Sequence, residues 1–159
     1  EAGECGDDPA AIAARLGRPL ELVLRRLGML RPGPWAQAGL IVCDGSGATL
    51  FRQAAPGFEL PRPGEGCALW PLFEALAQPQ LPVARLLVTN GGLRFASWAV
   101  AERLLPMGFD GPALSRAQML VRLAGPQDNR PPLGVGPACR ICPRPGCAAR
   151  HEPSILGPV

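Results

Sequence analysis

Up to residue 30 the apolar positions of the chain recur every three or four residues, and beyond residue 35 the period changes. Asp8-Pro9 reads as an N-cap followed by the proline favoured at the first helical position, so Ala10 to Leu16 forms a short helix that Gly17 ends. Pro19 opens a second helix with Leu20, Val23, Leu24 and Leu27 as its apolar face and Gly28 as its stop. Two helices joined by "GRP" invite a helix-turn-helix reading, but a DNA-reading helix must project side chains that reach base edges. From Leu20 to Leu27 only Glu21, Arg25 and Arg26 are polar, too few to specify a sequence, so a helical hairpin packed against another unit is expected. "RPGPW" at 31–35 cannot continue a helix. A boundary there divides the chain into 1–34 and 35–159.

Beyond the boundary, "LIVCDGSGATLFRQ" places Leu40 to Cys43 on one strand, a turn at Asp44 to Gly47, and a return strand from Thr49 to Arg52. Cys43 lies within the first strand as a small buried hydrophobe. A proline-rich loop then leads to "CALWPLFEALA", where Leu69, Leu72, Phe73 and Leu76 share a helical face. Pro71 is tolerated only in a first turn, which sets the helix start near Leu69. A second hairpin turns at Asn90-Gly91-Gly92. On its return strand Phe95 and Trp98 fall on opposite faces, which predicts cover on both sides. "PALSRAQMLVRL", from Pro112 to Leu123, reads as a further helix. The economical architecture is α+β: a mostly antiparallel sheet with helices on one side, of the PAS or GAF sensor type, preceded by the helical hairpin and closed by a cysteine-rich loop.

Composition adds limits rather than a function. The 159 residues include 20 glycines and 20 prolines, scattered between apolar runs, which implies many tight turns rather than disorder. A net charge of +3 is too small to argue for nucleic acid. There is no lysine or tyrosine, a bias that a GC-rich genome explains. No apolar run approaches the ~18 residues of a membrane span and no signal peptide is visible, so a cytoplasmic location without membrane contact is expected. The chain begins with Glu1, as an excised fragment of a longer protein would.

Chemistry concentrates in "CRICPRPGC", residues 139–147. Disulfides suit secreted domains. A CxxC redox pair sits at a helix N-terminus, and Pro143 and Pro145 argue against a long helix there. Zinc fits better: Cys139 and Cys142 close a small chelate, and Gly146 lets the chain fold back to present Cys147. The fourth ligand is either His151, the sole histidine, or Cys67 ahead of the Trp70 helix.

"GCALWPLFEALAQP" and "CRICPRPGCAAR" followed by Glu152-Pro153 resemble the C-terminal domain of bacterial short-chain fatty acyl-CoA responsive transcriptional regulators. Upstream, "IAARLGRPLELVLRRLGMLRPG" resembles the end of a metallopeptidase-like middle region in the same family. Cys67, Leu69, Trp70, Cys139, Arg140, Cys142, Arg144, Cys147, Arg150 and Pro153 fall on the family pattern, whereas His151 does not, which favours Cys67 as fourth ligand. The family pattern carries tyrosines around the second hairpin and this chain has none. The resemblance implies an acyl-CoA-sensing domain of a dimeric regulator whose helix-turn-helix lies outside this chain.

A pocket is then expected between the sheet and the Leu69 helix, with Trp70, Phe73, Phe95 and Trp98 as apolar wall and Arg140, Arg144 and Arg150 for phosphates and adenine. The plainer readings are core for the aromatics and bracing of the cysteine loop for the arginines. No His-Glu-x-x-His helix, phosphate-binding glycine loop or carboxylate pair supports catalysis. The rivals are a ligand-free oligomerisation module and a direct DNA-binder, the latter testable by a salt-dependent gel shift.

Overall fold

In the computed structural model, which describes residues 8–157, two short helices precede a six-stranded sheet. The first seven residues of the expected 1–34 segment and the last two of the chain lie outside the described residues. Helix α1 (Pro9–Leu16) is capped by Asp8, whose carboxylate accepts from Ala10 N at 3.0 Å, and it ends on Gly17 in the left-handed region at φ +58°. Helix α2 spans Leu20–Leu30 and passes through Gly28, so Gly28 is not the stop the sequence suggested. Its bare Cα serves contact instead: a Cβ there would stand 2.7 Å from Leu40 Cβ, too close for any side chain. Arg31 takes the left-handed cap at φ +48°.

Strands β1 (Gly39–Asp44) and β2 (Thr49–Gln53) form the first expected hairpin. Helix α3 (Pro71–Ala77) follows, then the second hairpin, β3 (Val83–Val88) with β4 (Arg94–Leu104). The expected helix at 112–123 is instead strand β5, Leu114–Leu123, paired with both β4 and β1. The misreading has a physical cause. β5 is central, with Ala117, Met119 and Val121 packing on one face and Leu120 and Gln118 buried on the other, and Leu120 interrupts the polar row of Arg116, Gln118 and Arg122, so the period of two is broken at its centre. A short β6 (Pro132–Gly134) adds to β3 in parallel, and the order across the sheet is β2-β1-β5-β4-β3-β6.

Both faces are covered, as the aromatics of β4 foretold, but the helices are not all on one side. Against one face lies the helical hairpin, where Leu24, Leu27 and Trp35 pack on Leu40, Val42, Val100 and Leu120. Full burial of such leucines contributes roughly 1.5–3 kcal/mol apiece. Against the other face lies α3, where Trp70, Leu72 and Ala75 meet Ile41, Phe95, Ala99 and Met119. Gln118 ties α2 to the sheet, its Nε2 donating to the Glu21 carbonyl at 2.5 Å.

Candidate functional site

The start of α3 and the carboxy-terminal tail, far apart in sequence, build one site. Trp70 N donates to the Cys67 carbonyl at 2.9 Å, a turn that sets Cys67 just ahead of the helix that Pro71 opens. β6 brings the tail alongside β3, and Val135 N extends that pairing to the Val88 carbonyl at 2.9 Å. The buried Trp70 indole then donates to the Gly136 carbonyl at 3.1 Å and docks the tail against the helix start.

Beyond Gly136 the cysteine loop folds on itself. Cys139 opens a 3-10 turn over Cys139–Ile141, which Cys142 N closes on the Cys139 carbonyl at 3.3 Å. Arg150 braces the loop: its guanidinium donates to the carbonyls of Arg144 (2.7 Å), Cys139 (3.1 Å), Cys142 (3.1 Å) and Glu152 (3.3 Å). Arginine suits this task because its fork presents several fixed donors at once. Arg144 lies over Gly134, leaving no space for a side chain there, and Arg140 is exposed.

Cys67, Cys139, Cys142 and Cys147 line one cavity of about 20 Å³, the space of a single small particle. Burial pushes the Cys67 thiol up, the Gly136 and Leu69 backbone amides act in the opposite sense, and the neighbouring Cys142 and Cys139 raise it further. Asn90 Nδ2 donates to Cys142 Sγ at 3.6 Å, and His151 Nδ1 stands 3.4 Å from Cys139 Sγ. Both candidate fourth ligands thus reach the loop, Cys67 through the shared cavity and His151 from its rim. The sulfurs converge without forming the expected tetrahedral set: among the described residues no group of three or more His, Cys, Asp or Glu side chains is placed to hold a metal ion. Cys43 belongs elsewhere, on β1, where burial pushes its thiol up to about 11 and keeps it inert.

The expected aromatic pocket is divided by the sheet. Trp70 and Phe95 are 2% and 0% exposed and both pack on Phe58, at 5.7 and 5.2 Å between ring centroids, so they are core. Phe73 stacks on Trp70 at 6.4 Å and borders an open cavity of about 400 Å³ with Cys139, His151 and Glu152. Trp98 lies on the opposite face, edge-to-face with Trp35 at 5.2 Å, beneath the Arg122 guanidinium. Sequence reasoning passed over Phe58, Asn90 and Gly136. Phe58 sits in a proline-rich loop, Asn90 reads as a turn residue, and nothing local marks Gly136.

The profile described as "Short-chain fatty acyl coenzyme A regulator, C-terminal" matches residues 38–159. The chain is 30% identical over 165 aligned positions to the HTH-type transcriptional regulator PrpR of Mycobacterium tuberculosis, covering 93% of this chain and 33% of that protein. It is 28% identical to the propionyl-CoA carboxylase regulator of Cereibacter sphaeroides, covering 97% and 36%. The solved structure of a Mycobacterium tuberculosis transcriptional regulator superposes with a TM-score of 0.72 at 25% identity, over 94% of this chain and 50% of that one. The chain therefore spans about a third of the length of these curated relatives.

Proposed function

The chain belongs to the short-chain fatty acyl coenzyme A regulator family, and from that premise we propose that it is the effector-sensing part of a cytoplasmic, dimeric transcription factor that binds a short-chain acyl-CoA. In this reading 35–159 is the sensing domain, 1–34 ends a preceding metallopeptidase-like region, and a helix-turn-helix elsewhere in the full protein contacts DNA. The names of the relatives, transcriptional regulators and a propionyl-CoA carboxylase regulator, support a regulatory and non-catalytic role. Among the described residues no helix is long and apolar enough to cross a membrane.

The observation that carries the proposal is the meeting of Cys67 with the 139–147 loop on one small cavity, because the cysteine pattern is the most specific part of the family likeness. Cys67, Cys139, Cys142 and Cys147 would hold a structural zinc, which supplies a closed four-thiolate staple with no open position for chemistry. Iron–sulfur clusters use the same donors, so the metal's identity is part of the test. For the effector, Phe73 and the exposed Arg140 remain available as contacts. The carbonyls already bound by Arg150 support a bracing role for it instead.

Calorimetric titration with acetyl- and propionyl-CoA is expected to give saturable heat; its absence at millimolar ligand removes the effector reading. Elemental analysis is expected to find one zinc per chain, lost in Cys67→Ser and kept in His151→Ala. Iron in place of zinc, or metal retained in Cys67→Ser, overturns the zinc assignment. One observation favours the rival oligomerisation module: Leu105, Met107 and the fully exposed Phe109 cluster on the connection between β4 and β5. Under that reading Phe109→Ser yields monomers by sedimentation and no acyl-CoA binds.

A further inference from the structure

Beside the cysteine cavity lies a second, roomier cleft of about 260 Å³, bounded by residues 57–59, by 89–91 with Leu93, and by 135–137. Its walls join apolar and hydrogen-bonding groups: Phe58, Leu93 and Val135 on the one hand, and Thr89, Asn90 and the backbone of three glycines on the other. The only charged side chain in this lining is Glu59, and no arginine reaches it. A phosphate would meet repulsion here, whereas an uncharged chain bearing amides would meet partners along its length. The volume is also below that of pockets that enclose whole drug-sized ligands, so the cleft suits one end of a long molecule.

The partition between the cleft and the cysteines is one residue thick. Gly136 lines both. Its carbonyl accepts from Trp70, its amide faces Cys67, and a Cβ on it would strike Cys142 Sγ at 2.6 Å. Asn90 also belongs to both sides, lining the cleft while its amide donates to Cys142 Sγ.

We propose that this cleft receives the neutral acyl-pantetheine arm of a thioester ligand and leaves the nucleotide outside. The proposal rests on the effector reading above and adds the location and the chemical class of the buried end. Occupancy there bears on Gly136 and Asn90, and through them on two of the four thiols that anchor the tail.

The test uses two probes on the whole chain, S-propionylpantetheine and propionyl-CoA. S-propionylpantetheine is expected to bind on its own and to compete with propionyl-CoA. Leu93→Trp, at a 45% exposed position, fills the cleft and is expected to weaken both ligands by at least roughly tenfold without moving the thermal midpoint. Gly91→Leu narrows the same cleft independently, since a Cβ there meets nothing closer than Thr89 Oγ1 at 3.9 Å, and is expected to act in the same direction. If propionyl-CoA binds while S-propionylpantetheine neither binds nor competes, or if both variants bind like the parent, the cleft assignment is overturned and the effector reading stands. If neither probe binds, both fall.

Discussion

The two faces of the sheet are built from the same strands and do different work. On the α2 face the helical hairpin lays Val23, Leu24 and Leu27 against Leu40, Val42 and Leu120, beside an edge-to-face Trp35–Trp98 pair with the Arg122 guanidinium over it. Contacts there are apolar, close, and formed largely by residues with local periodicity. On the α3 face an equally apolar core of Trp70, Phe58 and Phe95 gives way at its edge to polar backbone, four thiols and three cavities. The difference teaches where this fold gathers its thiols and polar backbone: not between α2 and the sheet, where the cavity bounded by Arg25, Met29, Leu50 and Phe51 holds no cysteine, but where a long tail is laid against a helix start.

The sharpest way to break that comparison is Leu24→Ala. The side chain is fully buried, and its removal is expected to cost about 2–5 kcal/mol in chemical unfolding, with thiol reactivity of the folded protein unchanged. Faster alkylation of Cys67 or Cys142 in that variant would mean the faces are not independent. Gly28→Ala comes next. A methyl group placed against Leu40 forces α2 off the sheet, and a loss of about 1–3 kcal/mol is expected, again without an effect on the cysteine loop.

Trp70→Phe probes the other face. The ring remains, the bond to the Gly136 carbonyl is lost, and a buried acceptor is left unpaired, for an expected cost of about 1–3 kcal/mol. Here, unlike the two preceding variants, limited proteolysis is expected to cut within 134–157 before the rest of the chain opens. The smallest effect concerns pH. Hydrogen bonds from Arg130 hold the Asp128 carboxyl below its usual range, against a smaller opposing effect of burial. A depressed carboxylate contributes stability that is present above its unfolded pKa and lost as pH falls through the folded value. Acid titration followed by carboxyl NMR is therefore expected to place Asp128 below free aspartate, with Asp128→Asn flattening that part of the stability profile.

How much of this was legible depended on whether a segment carried its own punctuation. Asp8-Pro9 and Gly17 delimit α1 by local backbone chemistry, and the structure keeps both ends. Asn90-Gly91-Gly92 marks the second hairpin for the same reason. β5 carries no such mark, and Leu120 breaks the polar row of Arg116, Gln118 and Arg122, so the segment suits a helix as well as a strand. Gly28 has two roles open to a glycine, helix stop and close contact, and only the position of Leu40 decides between them. The candidate site divides along the same line. The cysteines are visible by type and spacing, and family likeness favours Cys67 over His151 as their fourth member. Residues 95 and 98 on one strand face opposite ways, which puts Trp98 across the sheet from Trp70 and Phe95.

By itself the sequence determined the two hairpins, the first helix and the first turn of α3, because each follows from a turn, a cap or a proline. Tertiary structure alone decided which face each helix covers, that the fifth long segment is a strand, which carbonyls Arg150 reaches, and that Gly136 separates the cysteines from an adjoining cleft. Those outcomes depend on what lies opposite a residue across 66 positions of chain, as with Trp70 and Gly136, and no local pattern carries that information.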